Sequence, residues 1–571
     1  MAQKVAEDAG EPQAREPKEI PKESTSKAER SAAKAAAAAL APVPSPPPAP
    51  ETPKTSAPPT SAETSTTSAP PPAPGAPAND AQVAPPEPAP EVAATTAKPR
   101  ATEATSPAPE AAASAKQRTT DVPLPPSAPL ESLSLRDFPI PHVPTPTNRP
   151  WRSYKEILAT LAQRVLDAQR PIRILQALRW DADVEEQFFR GKQRELPKVN
   201  YIADLGFDPE AKIRELEGIL QDADRDLGEH DRLGDILRAT ADEYRQVVRM
   251  LMGRGTRDFY AFSRKLYGST KDVFPDGRTT VRDMGLVLYD LFTAVGGERL
   301  GRAQPRDISA ETAALELNAR FDRFFGGAPI RVHVDDSLLA DAAAGSDYVK
   351  IRSGATFSRS DVDILEAHEG WVHVATSLNG QAQPVARWLA KGPPRTTAVQ
   401  EGLAALVEIF TFRSTPRRAK KLNDRILAVD KAEDGASFLD VFEWYRTEGY
   451  AEEECFQNAR RVFRGGLLEG GAPFTKDACY CKGIVLNYAF MRAAIQMDRA
   501  QLIPFLFVGK VAHEDVPVLY AHVTDGIVKP PPFLPPIFDD MNGLAIWMCY
   551  SSFFSRLGGT AIAEHYTKML G

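Results

Sequence analysis

No phenylalanine, tyrosine or tryptophan occurs in this 571-residue chain before Phe138. The first 129 residues hold 28 of its 51 prolines, and Ala, Ser, Thr and Glu fill most of the rest. Such a segment cannot bury enough apolar surface to offset its conformational entropy. Residues 1–130 are therefore expected to form a disordered Pro/Ala-rich tail. Whatever folds must be built from residues 131–571, a length that suits one large domain or two lobes.

Over 152–188 and 210–252 apolar residues recur at three- and four-residue spacing. These stretches read as amphipathic helices of a helical lobe spanning 131–305. The pattern continues over 307–325, and then the texture changes. Ile330–Val334 alternates, and Asp347–Arg352 is a second short β-branched run, so two strands are expected. Ser358 or Ser360 can cap the next helix, whose apolar face (Val362, Ile364, Leu365) runs into His368. Behind Pro393-Pro394, Thr396-Thr397 are expected to cap a helix reaching Val407. A further helix is expected from about Lys476 to Met491, and Leu544–Leu557 reads as a core helix. The expected class is α+β, mostly helical with a small sheet, and 131–571 is expected to form one compact unit.

Several function classes are excluded. The net charge is -7, spread along the chain with no basic stripe, so no nucleic-acid partner is expected. No run of about 18 apolar residues occurs, so no membrane span is expected. The N-terminal Met-Ala-Gln-Lys-Val-Ala-Glu-Asp has no apolar core and does not read as a secretory signal. The cysteines (Cys455, Cys479, Cys481, Cys549) make neither a CxxC motif nor a zinc ribbon, which fits a reducing compartment, the cytoplasm.

Histidine is scarce, eight in the whole chain, yet two fall in His368-Glu369-Gly370-Trp371-Val372-His373. Glu401 follows in Gln400-Glu401-Gly402-Leu403-Ala404. Two imidazoles and a carboxylate are the ligands of a catalytic zinc site, which keeps a fourth position for water. Glu369, next to the first histidine, is placed to act on that water. In the common HExxH motif the histidines are four apart and share one helix face. Here they are five apart, so on a regular α-helix the rings would diverge by roughly 140°. One ion can be shared only if the helix is distorted. An i→i+5 hydrogen bond, a single π-bulge or a broken turn is therefore expected within Glu369–His373, with Gly370 easing the change. The region 306–571 is thus expected to be zincin-like, a class that sets an edge strand before the zinc helix, where extended substrate can pair. Glu408, seven residues after Glu401, is either a partner orienting a ligand histidine or a solvated acid. His333, on a strand, reads as structural.

These motifs resemble the tubulin-tyrosine-carboxypeptidase-like metallopeptidases, whose bacterial members are called flavohaemoglobin expression-modulating QEGLA motif proteins. The resemblance is carried by Phe357-Ser358, Leu365–Val374, Thr376–Gly380, Gln400–Ala404, Arg461–Gly465, Phe474–Asp477 and Tyr480. It implies one zinc ion held by His368, His373 and Glu401, with Glu369 as general base. It implies a carboxypeptidase whose substrate is a peptide or protein C-terminus. Animal members remove the C-terminal tyrosine of α-tubulin, a substrate this chain need not share. Tyr480 is the candidate second donor to the oxyanion. Arg461, Arg464 and Lys476 are candidates for the substrate carboxylate, and Asn379-Gly380 for a turn that lets substrate backbone approach. Competing readings are a metal-binding regulator without turnover and an endo- or aminopeptidase on the same scaffold.

Overall fold

The computed structural model describes residues 151–571 except 203, 296–303, 337, 339, 340, 557–559 and 571. The tail expected over 1–130 lies outside the described residues. The described chain is mostly helical with two small sheets.

The first helices are α1 (Trp151–Gln169), α2 (Asp183–Arg190), α3 (Pro209–Leu227), α4 (Arg232–Met252), α5 (Arg257–Tyr267) and α6 (Val281–Val295). Their limits follow local chemistry. Asp208 accepts from the N–H groups of Glu210 and Ala211 while Pro209 occupies the first turn, and Gly228 at φ 89° ends α3. Asp231 then caps α4 through the Gly234 N–H. Leu158, Leu161 and Val165 of α1, Leu216 and Ile219 of α3, and Leu237, Val247 and Leu251 of α4 fill one core. Each such side chain contributes about 1.5–3 kcal/mol on burial. The same core takes in Ala367, Trp371, Val372, Leu403, Val407 and Phe507, so the elements of the site are packed directly on this helical layer.

The small sheets are built from β1 (Ile308–Ser309), β2 (Arg331–Asp335), β3 (Ala342–Ala344), β4 (Tyr348–Arg352) and β5 (Thr356–Phe357), with helix α7 (Ala310–Phe324) between β1 and β2. β1 pairs antiparallel with β5. The other sheet has the order β2-β4-β3, with β2 parallel and β3 antiparallel to β4. Val349 and Ile351 of β4 join Ala313, Leu317 and Phe321 of α7 in one cluster. This corrects one expectation. The strand read from Asp347–Arg352 is the central strand, flanked on both sides, and the edge strand beside the histidines is β3. Three consecutive alanines carry no strand signature, so β3 was not legible.

Helix α8 (Arg359–Leu365) is capped by Ser358, in a reciprocal pair with Asp361, while Ser360 lies inside the helix. It runs into a π-helical segment, Glu366–Val374, and on into α9 (Ala375–Gln381). Beyond lie α10 (Thr397–Phe410), α11 (Pro416–Glu433), α12 (Phe438–Thr447), α13 (Glu452–Phe463), α14 (Cys479–Gln496), α15 (Asp515–Ala521) and α16 (Met541–Ser555). Thr396 does not cap α10. It closes the 3-10 turn Pro394–Thr396, and its hydroxyl donates to Pro393 O. Nor is α16 a core helix. Only Leu544 and Met548 are buried, while Ile546, Trp547, Tyr550, Phe553 and Phe554 are exposed.

Helices α10 and α14 cross closely enough that a Cβ on Gly402 would overlap the backbone of Gly483. That contact sets Glu401 beside the start of α14. Among the described residues no helix is long and apolar enough to cross a membrane.

Candidate metal centre

The five-residue histidine spacing is resolved by the backbone. Across Glu366–Val374 the helix is π-helical, and the Ala375 N–H reaches back to Gly370 O. In an i→i+5 register, residues five apart share a face as residues four apart do in an α-helix. The distortion is longer than the single bulge expected. Gly370 does not take a left-handed conformation; its role is packing, because a Cβ there would overlap the Phe321 ring.

As a result the His368 and His373 rings lie with centroids 4.9 Å apart at 84°. Glu401 Oε2 is 3.7 Å from His368 Nε2 and 3.9 Å from His373 Nε2. One donor atom from each of the three side chains lies within 4.8 Å of the others. Bonds of about 2.0–2.1 Å in a tetrahedral zinc site put ligand atoms about 3.4 Å apart, and the two distances from Glu401 to the histidines exceed this by only tenths of an ångström. The donor set fits one divalent ion.

The surrounding partners orient the donors. His368 Nδ1 lies 2.7 Å from Glu408 Oε1, which leaves Nε2 to face the other two donors. Glu408 is fully buried, so it is the orienting partner and not a solvated acid. Arg418 donates to both Glu408 oxygens at 2.9 and 3.2 Å. Lys476 Nζ donates to Glu401 Oε1 at 3.0 Å, leaving Oε2 toward the histidines. The Ala344 N–H of edge strand β3 donates to Glu369 Oε2 at 3.0 Å.

Electrostatics agree with a site for a cation. Burial opposes charge on His368, but Glu401 and Glu408 outweigh it and raise its pKa to about 9. Burial, helped by His368 and Lys510, lowers His373 to about 3, so that ring stays neutral with a lone pair to offer. Burial would also raise Glu408, yet Arg418 and His368 hold it at about 2. Glu401 lies well below the usual carboxylate range because Lys476 and the two histidines outweigh its burial. Glu369 moves upward, through burial first and the nearby Glu401 charge.

The remaining expected site residues fall into two groups. Tyr480, near the start of α14, lies in the site, with Arg425 Nη1 3.3 Å from its hydroxyl and Lys476 Nζ 5.9 Å from its ring centre. Burial and the Glu401 charge push its pKa up, so the phenol keeps its proton. Arg461 is held by both oxygens of buried Asp477, at 2.9 and 3.0 Å. Arg464 rests over the Phe474 ring. The Nε atoms of Arg464 and Arg425 are buried without a hydrogen-bond partner among the described residues. Asn379 and Gly380, by contrast, do not form a turn. Both lie in α9. The Asn379 amide bonds the backbone of Phe507 and Phe533, and a Cβ on Gly380 would overlap Leu389 and Ala390. They join helix α9 to neighbouring loops and leave nothing free for substrate. His333 sits beside Tyr348 on the sheet, outside the donor cluster. Arg418, Arg425 and Lys510 were missed, since single basic residues carry no spacing signal.

The fold brings two histidines and a glutamate to one point, with the Glu369 carboxylate beside them, and this group could hold a metal ion. The chain belongs to the microtubule-associated tyrosine carboxypeptidase family, whose model matches residues 186–556. No curated protein matches the chain.

Proposed function

We propose that this protein is a zinc-dependent carboxypeptidase that removes a C-terminal residue from a peptide or protein. The convergence of His368, His373 and Glu401 across a π-helical turn carries this reading, because a nine-residue π segment is rare and here serves to bring the rings together. Bound zinc would supply an acidified water and polarise the scissile carbonyl. The chain's own groups do the rest. Glu369 keeps one oxygen on the Ala344 N–H and has the other to take a proton from the attacking water and pass it to the leaving amine. The protonated Tyr480 hydroxyl is the donor to the developing oxyanion.

Carboxypeptidase action rather than internal cleavage is supported by the cations beside Glu401. Lys476, Arg461, Arg464 and Arg425 gather around Tyr480 and Asp477, and the last two arginines have donors left over. A substrate α-carboxylate supplies the missing anion, and guanidinium binds it in two places at once. The family name points to a tyrosine-ended protein tail as one substrate to try.

The experiment is digestion of a panel of peptides with free or amidated C-termini by wild type and Glu369→Gln, read by mass spectrometry. Release of single C-terminal residues from free-acid peptides only, lost in Glu369→Gln, is expected. Cleavage of amidated peptides at internal or N-terminal bonds would show an endo- or aminopeptidase. Equal cleavage by the variant would rule out the mechanism.

A further inference from the structure

A π segment must return to α-helix, and the return has a geometric cost. When i→i+5 bonding gives way to i→i+4 bonding, carbonyls outnumber N–H groups by one, so an exit carbonyl is left over. Buried carbonyls need partners. Here the Ala375 N–H reaches Gly370 O and Val372 O and passes over Trp371 O, and side-chain donors gather on the two carbonyls that follow. Thr376 Oγ1 donates to Val372 O at 2.6 Å, and Ser377 Oγ to His373 O at 2.8 Å. Both hydroxyls belong to the next turn of the same helix.

The third donor comes from far along the chain. Lys510 Nζ donates to His373 O at 2.9 Å and, with a second hydrogen, to Gln400 Oε1 at 2.7 Å. Gln400 Oε1 also accepts from Thr376 Oγ1 at 2.8 Å. His373 carries one donor ring, and Gln400 immediately precedes Glu401. One side-chain amine therefore ties the backbone of the second residue of the donor triad to the neighbour of the third. Its own backbone is pinned, because the Lys510 N–H donates to Leu389 O at 2.7 Å and the next residue, Val511, is fully buried.

The geometry points to Lys510 as a positioning residue of the metal centre, whose side-chain amine locks the π-to-α exit onto α10 and so fixes the separation of the His373 and Glu401 donors. A slip of that exit by one residue would turn the His373 ring by about 100° away from the other two donors. The lock rests on reading the triad as a metal centre, but it does not depend on which substrate is cleaved.

The test is zinc affinity of the full chain by competition with a chromophoric chelator, together with the visible absorption of the Co2+-substituted protein. Lys510→Met is expected to weaken zinc binding roughly 10–100-fold, the range for losing a partner that orients a metal ligand. Its cobalt bands should shift. Val441→Ala, in a core cluster around α12 away from the site, serves as a control for general destabilisation and should change neither readout. If Lys510→Met fails to fold, Gln400→Leu cuts the same tie at α10 and is expected to move both readouts in the same direction. Wild-type affinity and an unshifted cobalt spectrum in a folded Lys510→Met or Gln400→Leu protein would overturn the lock. His368→Ala separates this from failure of the metal reading. If it too binds zinc normally, the triad is not the site. If it loses zinc while Lys510→Met does not, the lock alone is wrong.

Discussion

The Glu408 carboxylate and the His368 imidazole, 40 residues apart in sequence, meet at 2.7 Å inside the protein. Glu408 has no exposed surface, and Arg418 also donates to its carboxylate. The acid fixes which ring nitrogen of His368 faces the other donors. Glu408→Gln keeps the shape but removes the charge. It should lower metal affinity about 10–100-fold, measured by chelator competition. It should also destabilise the fold in urea unfolding, because the half-buried Arg418 loses its counter-ion.

Gly370 and Phe321 make a paired prediction. A methyl group on Gly370 meets the Phe321 ring, so Gly370→Ala should cost about 1–3 kcal/mol by overpacking. Phe321→Leu alone should also destabilise. The double variant should be more stable than the sum of the two predicts, since the smaller side chain makes room for the methyl. Additive losses in urea unfolding would mean the two residues do not share that space.

Much of this centre was legible in the sequence. The spacing of His368 and His373 demanded a distorted helix, because α-helical geometry forbids their convergence, and the π segment answers that demand. A serine cap was legible, but the sequence left Ser358 and Ser360 open; the reciprocal pair with Asp361 decides for Ser358. Asn379-Gly380 misled because the same dipeptide marks turns, while here burial and bonds to Phe507 and Phe533 outweigh its local preference. The apolar composition of α16 suggested a core helix, but composition alone does not say which face finds a partner. The long-range ties from Arg418 and Lys510 depend on the tertiary fold and left no local trace.

Stability should depend on pH through Glu243. Burial raises its pKa from 4.5 to about 7, against the opposing effect of the Arg395 N–H it accepts from at 2.8 Å. The folded protein holds this proton more tightly than the unfolded chain does. The stabilising contribution is therefore complete below pH 4.5 and is lost as pH rises through about 7. Glu243→Gln keeps an oxygen acceptor and cannot ionise. It should match wild type near pH 4.5 and exceed it at pH 8 by up to about 3 kcal/mol in urea unfolding.

The cysteines should react unequally. Cys549 is exposed, whereas Cys455, Cys479 and Cys481 are buried. Burial pushes the Cys455 thiol up to about 11 and Cys481 to about 12, and it raises Cys479 further. A thiol reagent on the native protein should label one cysteine quickly and the rest only on unfolding, and Cys549→Ser should abolish the fast phase.

The most direct test of the metal centre is zinc stoichiometry of the purified full chain by elemental analysis, beside single alanine variants of His368, His373 and Glu401. One zinc per wild-type chain, falling sharply in each folded variant, is the predicted result. Wild-type zinc content in all three variants would contradict it.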